Sequence, residues 1–259
     1  MSGILQELTQ LRHADMVAVE ASLATLPSGL GPANGAFSQA LRAPGISVIA
    51  EVKRASPSRG DLAPIPDAAA LAASYVQGGA RAISVLTTPH GFKGSGDDLR
   101  AVAALGLAPA LCKDFVTHPL HVRWAASLGA SAILLIAAVF ERRADLEFLL
   151  DVVKAEGLEA LVEVHNAAEL EMALAAGAGI VGVNHRNLVD FSMDMTLFER
   201  LRPSIPASVV AVAESGIKTA ADVRRMVDAG ADAVLIGEAV SAEERPDQKI
   251  AALLQGGRA

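Results

Sequence analysis

The segment AGADAVLIG, residues 229–237, sets a small-residue turn before a short apolar run. Three earlier segments share this form: GGARAISVL at 78–86, LGASAILLI at 128–136 and AGAGIVGVN at 176–184. Their corresponding glycines, at 79, 129, 177 and 230, lie 50, 48 and 53 residues apart. This spacing is about twice the length of one strand-plus-helix unit. Each interval therefore predicts a further strand between the repeats.

Three apolar runs lie in those intervals and a fourth precedes the first repeat, which completes a set of eight strands. They are SVIAE (47–51), PALCKD (109–114), EALVEV (159–164) and SVVAVAE (208–214). Helical patterns such as DAAALAASYVQGG and TAADVRRMVDAG separate the strands, and each ends near a glycine. Eight alternating units predict an α/β fold of the (β/α)8 TIM barrel class. An open doubly wound sheet alternates in the same way, but the unit count and the regular spacing favour the barrel.

The domain organisation follows from the absence of any linker or low-complexity stretch in the sequence. We expect residues 1–259 to form a single barrel domain. Residues 1–46 precede the first strand and predict an N-terminal helical extension, with a loop at LPSGLGPANG (26–35), that covers one end of the barrel.

Composition narrows the classes of function. The net charge of -7 argues against a general nucleic-acid binder, and the apolar run at 130–140 is shorter than the ~20 residues of a membrane helix. Cys112 is the only cysteine, so no intrachain disulfide can form, which favours a reducing cytoplasm. The N-terminus lacks the apolar core of a signal peptide. We expect a cytoplasmic protein without membrane or nucleic-acid partners, as a monomer or a weak homo-oligomer.

Charged, amide and hydroxyl side chains collect where the predicted strands end. They are Glu51, Lys53, Lys113, Asp114, Glu163, Asn184, Arg186, Glu214 and Ser215. Active sites of such barrels lie at the carboxyl ends of the strands, so these side chains should meet at one mouth. A single charged strand end can be an exposed terminus or a structural ion pair. Opposite charges on four alternating strands instead favour a site for proton transfer.

Glycine-containing turns after the last two strands predict an anion site. They are AESGIKT (213–219) and LIGEAV (235–240), with Gly216 and Gly237 at the turns. Backbone N–H groups and the start of a following short helix could bind a phosphate there. The alternative is that glycine only makes the turns. Ser56 and Arg59, in the stretch IAEVKRASPSRG (49–60), could add donors.

The histidines and the cysteine predict less. His118 and His121 are three residues apart with no evident third ligand, which favours a solvated helix face over a metal site. His165 is expected to point away from Glu163, and Cys112 to pack in the core. The sequence has no P-loop and no metal-type cysteine pair, so we predict no nucleotide cofactor and no metal.

Seven segments together resemble the indole-3-glycerol phosphate synthase family over about residues 45 to 240. They are IAEVKRASPSRG, SVLT…FKGS (84–95), LCKDF (111–115), LVEVH (161–165), VNHRNL (183–188), VAESGI (212–217) and LIGEAV (235–240). The resemblance implies a cofactor-free barrel with an N-terminal extension. It also implies conversion of 1-(2-carboxyphenylamino)-1-deoxyribulose 5-phosphate to indole-3-glycerol phosphate, carbon dioxide and water.

The resemblance also implies roles for individual residues. Lys113 would be the general acid of ring closure, Glu163 its acid/base partner in dehydration, and Lys53, positioned by Glu51, the partner of the anthranilate carboxylate. Phe92 would lie near the aromatic ring. The remaining implied contacts with substrate and phosphate are Ser56, Asn184, Arg186, Glu214, Ser215, Gly216, Gly237, Glu238 and Ala239.

The chain departs from the family pattern at Thr88, Gly91, His185 and the stretch SMDM (192–195). These departures raise the alternative of a paralogue that acts on a modified substrate. Further alternatives are a Schiff-base aldolase using Lys53 or Lys113 and a non-catalytic phosphometabolite binder. A glycosidase using Glu51 and Glu163 is disfavoured because the chain is poor in the aromatic residues of a sugar platform.

Overall fold

Eight parallel strands close into a barrel in the computed structural model, which describes residues 3–23, 35–188 and 190–257. Each strand pairs with its neighbours in chain order, and the last pairs with the first in the register Ser47↔Ala233 to Ala50↔Ile236. The strands are β1 Ser47–Val52, β2 Ala82–Leu86, β3 Ala110–Lys113, β4 Ala132–Ile136, β5 Glu159–Val164, β6 Ile180–Asn184, β7 Val210–Glu214 and β8 Ala233–Ile236. The predicted TIM barrel is confirmed.

Helices follow the strands and precede the first of them. They are α1 Gly3–Ala14, α2 Met16–Leu23, α3 Ala36–Leu41, α4 Ala68–Gln77, α5 Gly96–Ala104, α6 Pro119–Ser127, α7 Arg143–Ala155, α8 Ala167–Ala175, α9 Leu197–Leu201, α10 Ala220–Asp228 and α11 Pro246–Leu254. Short 3-10 helices span Ala137–Val139, Arg202–Ser204 and Gln255–Gly257. A small antiparallel hairpin, Ala55–Ser56 with Gly60–Asp61, follows β1. Among the described residues, no helix has both the length and the apolar character needed to cross a bilayer.

Side-chain caps fix where several helices begin. The Asp67 side chain accepts a hydrogen bond from the Ala70 N–H at the start of α4, and Asn166 does the same for Glu169 in α8. Thr219 and Asp222 form a reciprocal capping box at the start of α10. These caps set the short turns that carry the chain from the mouth of the barrel back along its outside.

Alternation along each strand divides the core into an inner and an outer layer. Ile49 and Leu111 pack inside the barrel, whereas Val48 and Cys112 pack between strands and helices. Cys112 is therefore a core residue, as expected, and burial, with Asp114 nearby, raises the pKa of its thiol to about 12.

The N-terminal extension contacts both ends of the barrel, whereas the sequence predicted that it covers one end. Leu5 and Leu8 of α1 line the cavity at the carboxyl ends of the strands. At the opposite end, the backbone N–H groups of Phe37 and Ser38 in α3 donate to Glu159 at the start of β5, at 2.9 and 3.0 Å. The predicted loop 26–35 lies outside the described residues apart from Gly35.

Candidate active site

A quartet of ionisable side chains projects into a cavity of about 140 Å³ at the carboxyl ends of the strands. Its members come from the four odd-numbered strands: Glu51 from β1, Lys113 from β3, Glu163 from β5 and Glu214 from β7. Side chains from alternate strands form one layer inside such a barrel. The residues two positions earlier on these strands are apolar and pack in the interior, so the two-residue period delivers each charge to the mouth.

Close contacts join these side chains into two groups, one around Glu51 and one around Lys113. Lys113 Nζ lies 3.1 Å from Glu163 Oε2 and 3.8 Å from Glu214 Oε2. Lys53 Nζ lies 2.8 Å from Glu51 Oε1, and Ser84 Oγ donates to Glu51 Oε2 at 3.2 Å. Asn184 Nδ2 donates to Glu163 Oε1 at 3.1 Å. All of these side chains except Lys53 and Lys113 belong to buried residues.

Burial and neighbouring charges shift the pKa values of two facing carboxyl groups, those of Glu163 and Glu214, in opposite directions. Burial alone would raise the pKa of Glu163, but Lys113 and His165 outweigh it and hold that pKa well below its ordinary value of 4.5. Burial and the charge of Glu163 raise the pKa of Glu214. Burial alone would lower the pKa of Lys113, but the surrounding carboxylates raise it above its ordinary value of 10.5. At neutral pH the site therefore holds an ionised Glu163 and a charged Lys113, and a Glu214 pKa of about 8 favours the protonated form of that residue.

Gly182 on β6 provides the space that Glu214 occupies. A Cβ atom at this position would lie 1.8 Å from Glu214 Oε1. That oxygen has no hydrogen-bond partner among the described residues. Sequence reasoning missed Gly182 because a glycine in an apolar strand looks like any small residue; its position two residues before Asn184 was the available signal.

His165 turns toward Glu163, so the expectation that it points away was wrong. Its Nε2 lies 3.2 Å from Glu163 Oε1, and its Nδ1 lies 3.1 Å from Glu169 Oε2. Strand alternation ends at Val164, and the His165 N–H donates to Glu169 in the first turn of α8 at 2.7 Å. Burial alone would lower the pKa of His165, but Glu163 and Glu169 raise it to about 10. A second cation therefore faces Glu163.

Backbone amides and basic side chains form the opposite part of the cavity. Ser56, Ser215, Gly216, Gly237, Glu238 and Ala239 all line it. No hydrogen bond among the described residues occupies the backbone N–H of Gly216 or Glu238. Arg186 Nη2 lies 2.8 Å from Glu238 Oε1, and its Nη1 donates to Ser58 Oγ at 3.0 Å. This arrangement can bind an anion through amides and arginine.

Apolar side chains line the remaining wall. Phe92 lies 6.0 Å from Phe115 between ring centroids, in a tilted arrangement. Sequence reasoning missed several lining residues, because they belong to the extension or to loops without a repeat: Ile4, Leu5, Leu8, Leu188 and Lys218. Gly91, one of the departures from the family pattern, has a φ of 72°, and a Cβ there would lie 3.2 Å from Pro57 Cγ. The backbone conformation and this close contact explain why no larger side chain occupies the position.

His121 is buried, so the expectation of a solvated face for His118 and His121 was wrong for this residue. His118 instead caps α6, where its Nδ1 accepts from the Leu120 N–H at 3.2 Å. Burial lowers the pKa of His121 to about 4, so this side chain is neutral at physiological pH.

Comparison with known proteins is consistent with this geometry. The family model for indole-3-glycerol phosphate synthase matches residues 5–253. The indole-3-glycerol phosphate synthase of Mycolicibacterium gilvum is 46% identical over 258 residues, or 98% of this chain and 94% of the relative. That of Mycobacterium sp. (strain KMS) is 50% identical over 218 residues, covering 84% and 80%.

A solved structure of 3-hexulose-6-phosphate synthase from Salmonella typhimurium superposes with a TM-score of 0.65 at 13% identity, covering 82% of this chain and 98% of the other. That likeness supports the barrel fold alone. The family model and the Mycolicibacterium gilvum relative span nearly all of the sequence, including every strand that supplies the quartet. The chain therefore belongs to the indole-3-glycerol phosphate synthase family.

Proposed function

We propose that the quartet of Glu51, Lys113, Glu163 and Glu214 carries out the indole-forming reaction of the family. The substrate is 1-(2-carboxyphenylamino)-1-deoxyribulose 5-phosphate, and the products are indole-3-glycerol phosphate, carbon dioxide and water. In our proposal the aromatic ring lies against Phe92 and the phosphate against the amides of Gly216 and Glu238. One observation carries the assignment: the charged Lys113 lies between Glu163, whose pKa is lowered, and Glu214, whose pKa is raised, in one layer of the barrel.

Lys113 acts in ring closure. The ring carbon that bears the carboxylate attacks the ketone carbon, and the carbonyl oxygen becomes an alkoxide. An alkoxide is a stronger base than a neutral amine, so the proton moves from the Lys113 ammonium to this oxygen as the charge develops. The carboxylates of Glu163 and Glu51 keep it charged before the reaction.

Lys53 holds the substrate carboxylate until it leaves. The ammonium of Lys53 is oriented by Glu51 Oε1 at 2.8 Å. Closure of the ring leaves positive charge on the aromatic system, which the ionised Glu163 stabilises. Carbon dioxide then departs, and the electrons of its bond restore the aromatic ring.

Glu214 and Glu163 act in the loss of water. The protonated Glu214 gives its proton to the leaving hydroxyl group, while the ionised Glu163 removes a proton from the neighbouring methylene carbon. The 3.1 Å contact between Glu163 Oε2 and Lys113 Nζ then provides a route for that proton back to the lysine. Glu214 takes up a proton from solvent to complete the cycle.

The charge state of Lys113 argues against the Schiff-base alternative. A lysine that attacks a carbonyl needs a lowered pKa, because only the neutral amine is nucleophilic. The carboxylates around Lys113 raise its pKa instead. Borohydride should accordingly trap no covalent adduct between this protein and its substrate.

An assay of indole absorbance and fluorescence tests the proposal, with purified protein and the carboxyphenylamino-deoxyribulose phosphate. The wild type should form product and Lys113→Ala should form little. Lys249→Ala, at a half-buried position of α11 that does not line the cavity, is the matched control and should retain wild-type activity. Saturable substrate binding without product would instead favour a binder or a paralogue with a modified substrate, which substituted anthranilate derivatives would then identify.

We also propose that the protein works in the cytoplasm as a monomer or a weak homo-oligomer, in a single domain with its extension. Buried Cys112 suits a reducing compartment. The exposed large apolar side chains among the described residues come from five separate parts of the chain, namely Leu11, Val17, Leu105 with Leu107, Phe148 and Met193. Light scattering across a range of protein concentrations tests the oligomeric state.

A further inference from the structure

His185 lies next to the part of the cavity that Ser215 and Gly216 line, but it does not line that cavity itself. The residue follows β6, is 1% exposed and lines a neighbouring cavity instead of the main one. Its ring Nδ1 lies 2.9 Å from the backbone carbonyl oxygen of Ser215. Because a carbonyl oxygen only accepts hydrogen bonds, Nδ1 must carry the hydrogen.

The other ring nitrogen identifies the protonation state. His185 Nε2 has no hydrogen-bond partner among the described residues. Burial lowers the pKa of this imidazole, so the ring is neutral at physiological pH with its hydrogen on Nδ1. A buried donor that makes one bond, to the backbone of a cavity-lining residue, points to a positioning role.

The backbone that His185 contacts has an uncommon conformation. Ser215 has a φ of 69°, and it is one of three non-glycine residues with positive φ in the described part of the chain. Such conformations persist where surrounding contacts hold them, and they concentrate at functional sites. Gly216 follows with a φ of 79°, so two consecutive residues are left-handed.

The planarity of the peptide bond connects His185 to the cavity. The Ser215–Gly216 bond is trans, so its carbonyl oxygen and amide hydrogen point in opposite directions. His185 fixes the carbonyl on the side of the neighbouring cavity. The N–H of Gly216 is thereby directed to the other side, where Ser215 and Gly216 line the main cavity and no described group accepts that hydrogen.

We propose that His185 is a positioning residue of the phosphate site: it holds the Ser215 carbonyl so that the Gly216 amide faces the phosphate of the substrate. The inference deepens the proposed function and rests on the phosphate lying at Gly216. It also gives a physical role to one of the departures from the family pattern.

Two substitutions separate the hydrogen bond from the packing of the ring. In His185→Asn, the side-chain Nδ2 stands at the same number of bonds from the backbone as Nδ1 of histidine, so the donor is retained. His185→Leu fills similar space without a donor. His121→Leu is the matched control, because His121 is equally buried, makes no ring hydrogen bond among the described residues and does not line the cavity.

Two measurements test the proposal: KM and kcat with the phosphorylated substrate and its phosphate-free counterpart, and binding of inorganic phosphate by calorimetry. We expect His185→Leu to raise KM for the phosphorylated substrate and Kd for phosphate about tenfold. Its kcat, and kcat/KM for the phosphate-free compound, should change less than twofold. His185→Asn should recover most of the loss, and His121→Leu should leave the ratio of the two kcat/KM values unchanged.

Several results would overturn the proposal. These are wild-type behaviour of His185→Leu, equal losses in the leucine and asparagine variants, or equal losses with and without the substrate phosphate. A wild-type protein that binds no phosphate would also overturn it. Failure of the proposed function gives a different pattern. Neither the wild type nor any variant then forms indole, while affinity for inorganic phosphate still decreases from wild type to His185→Asn to His185→Leu.

Discussion

Lys113 and Glu163 project from β3 and β5 and meet inside the barrel, with 3.1 Å between Nζ and Oε2. The contact couples the proposed acid of ring closure to the proposed base of dehydration. Each residue also sets the charge of the other, because the carboxylate raises the pKa of the lysine and the ammonium lowers that of the carboxyl group.

Replacing Glu163 with Gln should abolish most of the activity while preserving shape. The amide cannot accept the methylene proton, and general base catalysis contributes about 10²- to 10⁴-fold. Steady-state kinetics should show a fall in kcat of that size with KM changed less than threefold. Glu171→Gln, on an exposed position of α8, is the control. A kcat within threefold of wild type in Glu163→Gln would remove Glu163 from the reaction.

Gly182→Ala should disturb the site through Glu214. The new methyl group would lie 1.8 Å from Glu214 Oε1, so the carboxyl group must move. We expect kcat to fall at least tenfold with a smaller change in KM. Gly179→Ala, just before β6, adds the same methyl group where nothing lies within 4 Å, and should be nearly silent. Equal activity in the two variants would show that the position of Glu214 is not critical.

Much of the site could be predicted because barrel strands impose a two-residue period on the sequence. That period places Glu51, Lys113, Glu163 and Glu214 above apolar interior residues, and the pattern is visible without a structure. His165 and Gly182 could not be predicted in the same way. His165 lies just past a strand end, where the turn into α8 sets its direction, and Gly182 is defined by a side chain on another strand. Leu5 and Leu8 reach the cavity through contacts distant in sequence.

His165→Asn should reveal a pH-dependent contribution to stability. Glu163 and Glu169 raise the pKa of His165 from its ordinary value of 6.5 to about 10. Between these values the folded protein keeps a proton that the unfolded chain has lost, so stability falls as pH rises. Urea denaturation should show the largest difference between wild type and His165→Asn below pH 6.5, shrinking toward pH 10. His13→Asn, at an exposed position of α1, controls for general effects of removing a histidine. A difference independent of pH would contradict the charge assigned to His165.

The buried ion pair between Arg12 and Asp114 should be a principal attachment of α1 to the barrel. Arg12 Nη2 lies 2.9 Å from Asp114 Oδ2, both residues are nearly fully buried, and Thr87 Oγ1 donates to the same carboxylate at 2.7 Å. Removing one member of such a pair leaves the other charge uncompensated, at a cost of about 3–5 kcal/mol. Arg12→Met should lower the free energy of unfolding by about 3 kcal/mol, measured by urea denaturation.

A double-substitution cycle separates the ion pair from the packing of the arginine side chain. Arg12→Met with Asp114→Asn removes both charges, so no buried carboxylate is left unpaired, and the double variant should be more stable than Arg12→Met alone. Arg12→Lys keeps the charge without the bidentate contact, and its free energy of unfolding should lie between those of wild type and Arg12→Met. Strictly additive effects of the two single substitutions would mean that Arg12 stabilises α1 through its packing on Trp124, 5.1 Å from the ring centroid, rather than through Asp114.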